Sequence, residues 1–285
     1  PPFGNVESKL YRGRIEALYG AMSFIKHSMA EYVVLSDCDI VTNMDFKPIL
    51  SQHIADGADI TMVTHTGVYT SDDIKHSTVV NTDDEGNVKS VLIQPDLSGT
   101  CTASLNIFVM SKKFLTDMIL DSIARGNISF EKDILQAKCS ELNIKTFEYS
   151  NYFSKITSVA SYFKANQELL KLENARKLYL PKRPIYTKVS DNAPVKYDLD
   201  CCVKNSLIAD GCVIEGEVEN SVLFRGVKVG KGAKVKDCIL MQGTAVGDNS
   251  EVSYLITDKN VNIGVNHILT GAPSYPMYIG KGASV

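Results

Sequence analysis

The stretch VLFRGVKVGKGAKVKDCILMQGTAVGDNSEV (residues 222–252) decides the fold of the C-terminal part of the chain. Small branched apolar residues recur there every five or six positions, separated by Gly-x-x-Ala or Gly-x-x-Ser turns. The turns that begin at Gly230 and Gly247 are 17 residues apart, which is about one three-sided coil of hexapeptides. Only small side chains fit the inner corner of such a coil, and glycine relieves the turn that leaves it. The pattern predicts a left-handed parallel β-helix over residues 201–285.

An ordinary β-sandwich is the alternative, because its strands also alternate apolar and polar residues. Its strands would be longer, and it would show fewer Gly-x-x-small corners at a near-constant period. At about 18 residues per coil, residues 201–285 provide about four or five coils. A solenoid of that size is typical of an assembly domain appended to another domain.

The composition is that of a soluble protein of 285 residues, long enough for two domains. The formal net charge is −3 and the Lys and Arg residues are scattered, so nothing indicates a nucleic-acid partner. No apolar run approaches about 20 residues and no secretory leader is seen, so we expect no membrane partner. The seven cysteines form no Cys-x-x-Cys pair, which predicts reduced thiols in a cytoplasmic protein, with Cys212 and Cys238 in the core.

Residues 1–176 alternate helical and strand patterns, which predicts a mostly parallel, three-layer α/β domain. Tyr32-Val-Val-Leu35 is a continuous apolar run, typical of a buried strand. Asp45 and Gly57 are predicted to cap the two ends of one helix, and another helix is predicted over about 157–176. Residues 177–200 contain three prolines and no clear periodicity, which predicts a linker.

Two carboxylates directly follow the first strand, in the segment Asp37-Cys38-Asp39. Ligands of open parallel sheets bind beyond the carboxyl ends of the strands. With the two-residue period of a strand, Asp37 and Asp39 point to the same side, where they could hold Mg²⁺ together with substrate phosphates. The alternative is a solvated acidic turn, or Asp39 in a following cap. No Gly-x-Gly phosphate loop occurs in the first 172 residues.

Five short segments share the patterns of one enzyme family. YRGRIEALY (11–19) resembles Tyr-x-Gly-Thr-Ala-Asp-Ala-Val-Tyr, and VVLSDCDIVTNMDF (33–46) resembles a Leu-x-Gly-Asp-His-Ile-Tyr-x-Met-Asp-Tyr strand. SLNIFV (104–109) resembles Ser-Met-Gly-Ile-Tyr-Val, FEKDIL (130–135) resembles Phe-Gly-Lys-Asp-Ile-Ile, and RPIYT (183–187) resembles a segment with Pro-Ile-Tyr-Thr. In this order and spacing, the patterns are similar to those of the bacterial ADP-glucose pyrophosphorylases (glucose-1-phosphate adenylyltransferases).

The resemblance implies a Rossmann-like sugar nucleotidyltransferase domain followed by a left-handed parallel β-helix. The first domain is expected to be N-terminally incomplete, since the family's opening glycine-rich loop lies upstream of residue 1. The family joins glucose 1-phosphate to the α-phosphate of ATP and releases pyrophosphate, while Mg²⁺ and a lysine stabilise the developing charge. The resemblance assigns Tyr11, Gly13 and Ser104 to substrate binding, although a solvent-facing strand serine is the alternative for Ser104.

Three departures from the family affect the same chemical step. Gln94 stands where the family has the lysine of Glu-Lys-Pro, and losing such a charged hydrogen bond costs roughly 1.5–3 kcal/mol. Lys155 stands where the family's Trp-Arg-Asp-Val-Gly-Thr has a metal-binding aspartate, so the charge there is reversed. One extra residue leaves open which of Asp37 and Asp39 aligns with the first metal ligand. We therefore assign neither a catalytic residue nor a metal to this chain.

The expected function is that of the D-type regulatory subunit, which supports ADP-glucose synthesis for glycogen biosynthesis. The resemblance implies a catalytic partner subunit of the same family that carries Mg²⁺, in a homo- or heterotetramer open to small-molecule effectors. Arg12 and Arg14 are candidates to meet an anionic effector or a partner subunit. An active glucose-1-phosphate adenylyltransferase with unusual active-site residues is the alternative. A third possibility is acyltransferase chemistry on the β-helix, for which His267 would be the base.

Overall fold

The computed structural model describes residues 10–285, which divide into two compact units. The described part of the first unit comprises 10–38 and 44–151, and the second unit comprises 39–43 and 152–285. The division thus differs from the predicted boundary at residue 176. Between residues 10 and 285, no helix is both long and apolar enough to cross a membrane.

The α/β part of the chain extends to residue 178. In chain order it forms α1 (Arg14–Gly20), α2 (Met22–His27), β1 (Tyr32–Ser36), β2 (Ile40–Thr42), α3 (Phe46–Asp56), β3 (Ile60–Tyr69), α4 (Ser71–Ile74), β4 (Thr78–Thr82), β5 (Val88–Ile93), β6 (Gly99–Ser111), α5 (Lys112–Ala124), a π-helical segment (Glu131–Gln136), β7 (Ile144–Glu148), β8 (Phe153–Lys155), α6 (Val159–Glu168) and α7 (Leu172–Leu178). The predicted helix over about 157–176 is therefore split into two shorter ones, between residues 168 and 172.

The sheet of the first unit is built around the long strand β6. This strand pairs antiparallel with β3 along one edge and with β1 and β4 along the other, while β5 pairs antiparallel with β4. Among the described strands of this sheet, only β3 and β7 pair in parallel, so the prediction of a mostly parallel sheet is wrong. Buried runs occur at residues 60–64 of β3 and 107–110 of β6, which pair antiparallel, whereas the predicted run at 32–35 lies on a strand that is only partly buried, with Val34 41% exposed. An apolar run therefore carries no information on strand direction.

The core of this unit lies where α1, α2 and α5 pack against the sheet. Ile15, Met22 and Leu115 join a buried cluster with Phe108 and Met110 of β6. The predicted caps of α3 are confirmed: Asp45 accepts a hydrogen bond from the Lys47 amide, and Gly57 adopts a left-handed conformation with φ of 55°.

The second unit contains fifteen short strands beyond residue 178. They are β9 (Lys196–Tyr197), β10 (Cys202–Lys204), β11 (Leu207–Ile208), β12 (Val213–Ile214), β13 (Glu217–Glu219), β14 (Val222–Leu223), β15 (Lys228–Val229), β16 (Lys234–Lys236), β17 (Ile239–Leu240), β18 (Ala245–Val246), β19 (Glu251–Ser253), β20 (Leu255–Thr257), β21 (Asn262–Ile263), β22 (Ile268–Thr270) and β23 (Met277–Ile279). They form three five-stranded parallel sheets.

This arrangement confirms the predicted parallel β-helix. The strands of one sheet begin at residues 202, 217, 234, 251 and 268, so the coils are 15 and then 17 residues long. Val218, Val235 and Val252 stack in register and are buried. Cys212 and Cys238 lie in the same core as predicted, and burial raises the pKa of Cys238 to about 12. The first coil already begins at Lys196, because β9 pairs with β12.

Residues 152–176 belong to this unit because they pack on the solenoid. Phe163 of α6 forms a buried cluster with Ile239 and Ile256, which lie side by side on neighbouring coils. Gln167 Nε2 donates to the carbonyl oxygen of Asn220 at 3.0 Å. Strand β8 also pairs antiparallel with β2, which brings residues 39–43 into the unit.

Candidate functional site

Asp37 directly follows β1, and side chains of the protein bind both of its carboxylate oxygens. Nη2 of Arg14 donates to Oδ1 at 2.5 Å, and Nδ2 of Asn106 donates to Oδ2 at 2.9 Å. The side chains of Arg14 and Asp37 are 21% and 31% exposed, so water screens this ion pair only in part. A metal ion at Asp37 would meet the positive charge of the Arg14 guanidinium, which already lies on that carboxylate.

The Arg14 guanidinium has further partners on its other side. Its Nη1 lies 2.9 Å from Oε1 of Glu131, an ion pair by distance although its angle is not that of a hydrogen bond. Its central carbon lies 5.8 Å and 5.7 Å from the ring centroids of Phe108 and Phe130, within the range of a cation–π contact. Arg14 is therefore held between two carboxylates and two aromatic rings.

The start of α1 is fixed against residues 128–133, which explains this placement. A Cβ on Gly13 would lie 2.2 Å from the carbonyl oxygen of Ile128, so glycine is required by close approach of the backbone. The Asp133 carboxylate accepts hydrogen bonds from the amides of Ile128 and Ser129, at 3.0 Å and 2.9 Å. Gly13 and Asp133 thus shape the backbone that places Arg14 beside Glu131.

A bulge in β6 positions the second donor to Asp37. Between Val63 and Thr64 of β3, the paired residue on β6 changes from Ile107 to Ser104, which leaves two extra residues on β6. One of them is Asn106, which has a positive φ of 55° and reaches Asp37 with its amide. Ser104 is 1% exposed, and its Oγ accepts from the Asn106 amide at 3.1 Å. The solvent-facing alternative for Ser104 is therefore wrong.

The other predicted site residues do not join this cluster around Asp37. Gln94 lies exposed after β5, where its amide donates to the Ser77 carbonyl oxygen at 2.9 Å. Tyr11 is 40% exposed and packs against Gly20, where a Cβ would fall 2.5 Å from the Tyr11 hydroxyl oxygen.

Asp39 and Lys155 belong to the second unit, whereas Asp37 belongs to the first. The Asp39 carbonyl oxygen accepts from the Ile156 amide at 2.7 Å. The side-chain oxygen Oδ1 of Asp39 is buried and has no hydrogen-bond partner among the described residues. Lys155 is half-buried on β8, opposite Ile40. Asp39 therefore directly precedes β2 and extends its pairing with β8 by one backbone hydrogen bond, whereas the following helix α3 is capped by Asp45.

The described residues do not fit a divalent metal centre. Nowhere in residues 10–285 do three or more His, Cys, Asp or Glu side chains form a group that could hold a metal ion. Asp37 already has both oxygens bound by Arg14 and Asn106. Mg²⁺ is normally bound through one or two carboxylates. In the described part of the first unit, the Arg14 guanidinium already neutralises Asp37, so this carboxylate is a poor ligand for a divalent cation.

Sequence reasoning missed how Arg14 and Asn106 act together. From the sequence, Arg14 is predicted only as a contact for an effector or a partner subunit, and Asn106 is not predicted to belong to the site. A signal existed in the quoted segments, since Arg14 aligns with a threonine and Asn106 with a glycine of the family patterns. Arg12 is different, because its side chain is 70% exposed and pairs with Glu16 of the same helix region.

The solenoid has an apolar groove and an exposed histidine that are separate from the cluster around Asp37. A mostly apolar groove of about 450 Å³ lies on the second unit, lined by Thr187, Leu207, Ile208, Ala209, Val222, Leu223, Phe224, Arg225 and Gln242. His267 is exposed on a turn, with its Nδ1 at 2.9 Å from the carbonyl oxygen of Val265.

Comparison with known proteins defines the class to which these units belong. A family model described as "Nucleotidyl transferase" matches residues 5–172, and one described as "GlmU-like, C-terminal hexapeptide" matches residues 194–271. Because the first match covers more than half of the chain, the chain belongs to the nucleotidyl transferase family.

Similar proteins narrow the relationship further. The "Glycogen biosynthesis protein GlgD" of Bacillus subtilis (strain 168) is 36% identical over 92% of this chain and 66% of its own length. The protein of the same name from Geobacillus stearothermophilus is 34% identical, over 75% of this chain and 52% of its own length. A "Glucose-1-phosphate adenylyltransferase" of Clostridium perfringens (strain 13 / Type A) is 30% identical, over 80% of this chain and 58% of its own length.

The chain thus spans from about half to about two thirds of the length of these relatives. The predicted resemblance to the ADP-glucose pyrophosphorylases is confirmed, with the GlgD type among the similar proteins.

Proposed function

We propose that this chain is part of a regulatory, catalytically impaired subunit of a glucose-1-phosphate adenylyltransferase. Such a subunit supports the synthesis of ADP-glucose from ATP and glucose 1-phosphate in glycogen biosynthesis. The names of the similar proteins support the pathway. One structural observation carries the proposed impairment: Asp37 is bound through both oxygens by Arg14 and Asn106.

The charges at residues 37, 94 and 155, where the family has its metal ligands and its lysine, also support catalytic impairment. At about 4 Å and an effective dielectric near 20, a carboxylate and a divalent ion attract each other by about 8 kcal/mol as an upper scale. The Arg14 guanidinium on Asp37 offsets this attraction with its own positive charge. Lys155 carries a positive charge where the family has a metal-binding aspartate, and Gln94 carries none where the family has a lysine. Loss of the lysine and loss of a metal-binding aspartate each reduce stabilisation of the negative charge in the transition state.

The proposal assigns turnover and Mg²⁺ to a catalytic subunit of the same family. The two subunits would form a tetramer, with the flat parallel sheets of the β-helix as surfaces for assembly. Small-molecule effectors would then act through a coupling free energy between subunits, rather than through chemistry in this chain.

The test uses the full-length protein, its catalytic partner subunit and a mixture of the two. We expect the full-length protein alone to form no measurable ADP-glucose, and the mixture to differ from the catalytic subunit in its response to effectors. The tetramer should be visible by analytical ultracentrifugation. Turnover by the isolated protein at a rate near that of the catalytic subunit would contradict the proposal.

One observation favours the alternative of an active enzyme with unusual ligands. Oδ1 of Asp39 is buried and has no hydrogen-bond partner within residues 10–285, which a bound ligand could supply. If the alternative is correct, the isolated full-length protein is active and Asp39→Asn abolishes its activity. If the regulatory proposal is correct, Asp39→Asn leaves the catalytic rate of the mixture unchanged, because the partner's active site does the chemistry.

A further inference from the structure

Arg14 is a single cation that two acidic side chains share. Asp37 follows β1 and Glu131 opens the π-helical segment, so the two carboxylates come from different parts of the first unit. One guanidinium nitrogen contacts Asp37 at 2.5 Å and the other lies 2.9 Å from Glu131. Without this cation, two partly buried carboxylates would face the same position, which is the environment that binds divalent cations.

The surrounding backbone and rings keep Arg14 in this position. Gly13, the residue before it, cannot take a side chain without meeting the Ile128 carbonyl oxygen. The rings of Phe108 and Phe130 lie against the guanidinium. Asn106 holds the other oxygen of Asp37 from a backbone conformation that few residues adopt. The cation is therefore preorganised rather than a mobile surface side chain.

We infer that Arg14 is a built-in cation that takes the place of a divalent metal ion between Asp37 and Glu131. The inference deepens the proposed function and rests on it, since it names the residue that makes the impaired site independent of metal. Arg14 acts as a positioning residue: it neutralises Asp37 and fixes its orientation. Removing the guanidinium leaves two carboxylates without their shared cation, and so creates a site for a divalent ion.

The test measures Mn²⁺ binding to the full-length protein by the electron paramagnetic resonance signal of free Mn²⁺. Four proteins are compared: the wild type, Arg14→Ala, Arg12→Ala and the double variant Arg14→Ala/Asp37→Asn. Arg12→Ala is the matched control, because it removes an exposed arginine two residues away that pairs with Glu16 and not with Asp37 or Glu131. Circular dichroism confirms that each variant is folded.

We expect Arg14→Ala to gain one Mn²⁺ per chain, at least tenfold tighter than any site of the wild type. The control should behave as the wild type, and the double variant should lose the gained site. A folded Arg14→Ala variant without a new site would overturn the inference.

A second comparison does not depend on the folding of Arg14→Ala. The wild type and Asp37→Asn should bind Mn²⁺ equally, and a wild-type site that Asp37→Asn removes would also overturn the inference. Neither measurement includes a catalytic subunit or turnover, so failure here is distinguishable from failure of the proposed function.

Discussion

Replacing Phe163 by alanine tests whether α6 is part of the solenoid unit. Phe163 is 6% exposed and packs against Ile239 and Ile256, which are 0% and 2% exposed. Truncating a buried phenylalanine typically costs about 3–5 kcal/mol, through lost burial and the cavity left behind. We expect about 3 kcal/mol, the lower end, because the partly exposed Tyr162 and Tyr254 border the site and can close part of the cavity.

Urea denaturation of Phe163→Ala, followed by circular dichroism, measures this change in the free energy of unfolding. Val159→Ala is the matched control on the same helix, because Val159 is 51% exposed and should change stability by less than about 0.5 kcal/mol. Hydrogen exchange should also show faster exchange of the α6 amides in Phe163→Ala. The reasoning fails if Phe163→Ala costs less than about 1 kcal/mol, since the docking of α6 on the coils would then contribute little.

Two further predictions concern a solenoid turn and a buried histidine. Gly230→Ala should lower the free energy of unfolding by roughly 1–3 kcal/mol, because its Cβ would lie 2.9 Å from the Asp248 amide nitrogen. Gly280→Ala is the control in a second Gly-Lys-Gly-Ala motif, because its Cβ would have no atom within 4 Å. This control should leave thermal denaturation unchanged. If both variants lose the same stability, the close approach of the neighbouring coil to Gly230 is not the cause. Burial lowers the pKa of His53 below its usual 6.5. Just below pH 6.5 the unfolded chain therefore binds a proton that the folded chain does not. The free energy of unfolding should fall as the pH drops below about 6.5. His53→Gln should flatten that dependence in denaturation curves at pH 5 to 7, and an unchanged slope would assign it to other groups.

Local periodicity was enough to predict the solenoid, but not which residues adopt a positive φ at its corners. The apolar ladder predicted stacked coils, and Val218, Val235 and Val252 stack as expected. The sequence did not reveal that the chain would use Asn205, Asn220 and Tyr254 at corner positions with positive φ. Asparagine tolerates this conformation and the first two also bond to each other at 2.7 Å, but a tyrosine there follows no local rule.

The site could be predicted only in part, because its contacts are distant in sequence. The segment around Asp37 was identified by its position after a strand. Its partners lie 23 residues away at Arg14 and 69 residues away at Asn106, and no local pattern pairs them. The antiparallel pairing of β6 with β1 and β3 was missed for the same reason, since the relative direction of two strands depends on pairing between distant parts of the chain.

Crystals of the full-length protein soaked with Mn²⁺ and ATP test the central claim most directly, because manganese is located by its anomalous scattering. The account predicts that the guanidinium of Arg14 remains on Asp37 and that no manganese peak lies within coordination distance of that carboxylate. A manganese ion bound to Asp37, with Arg14 displaced, would contradict it.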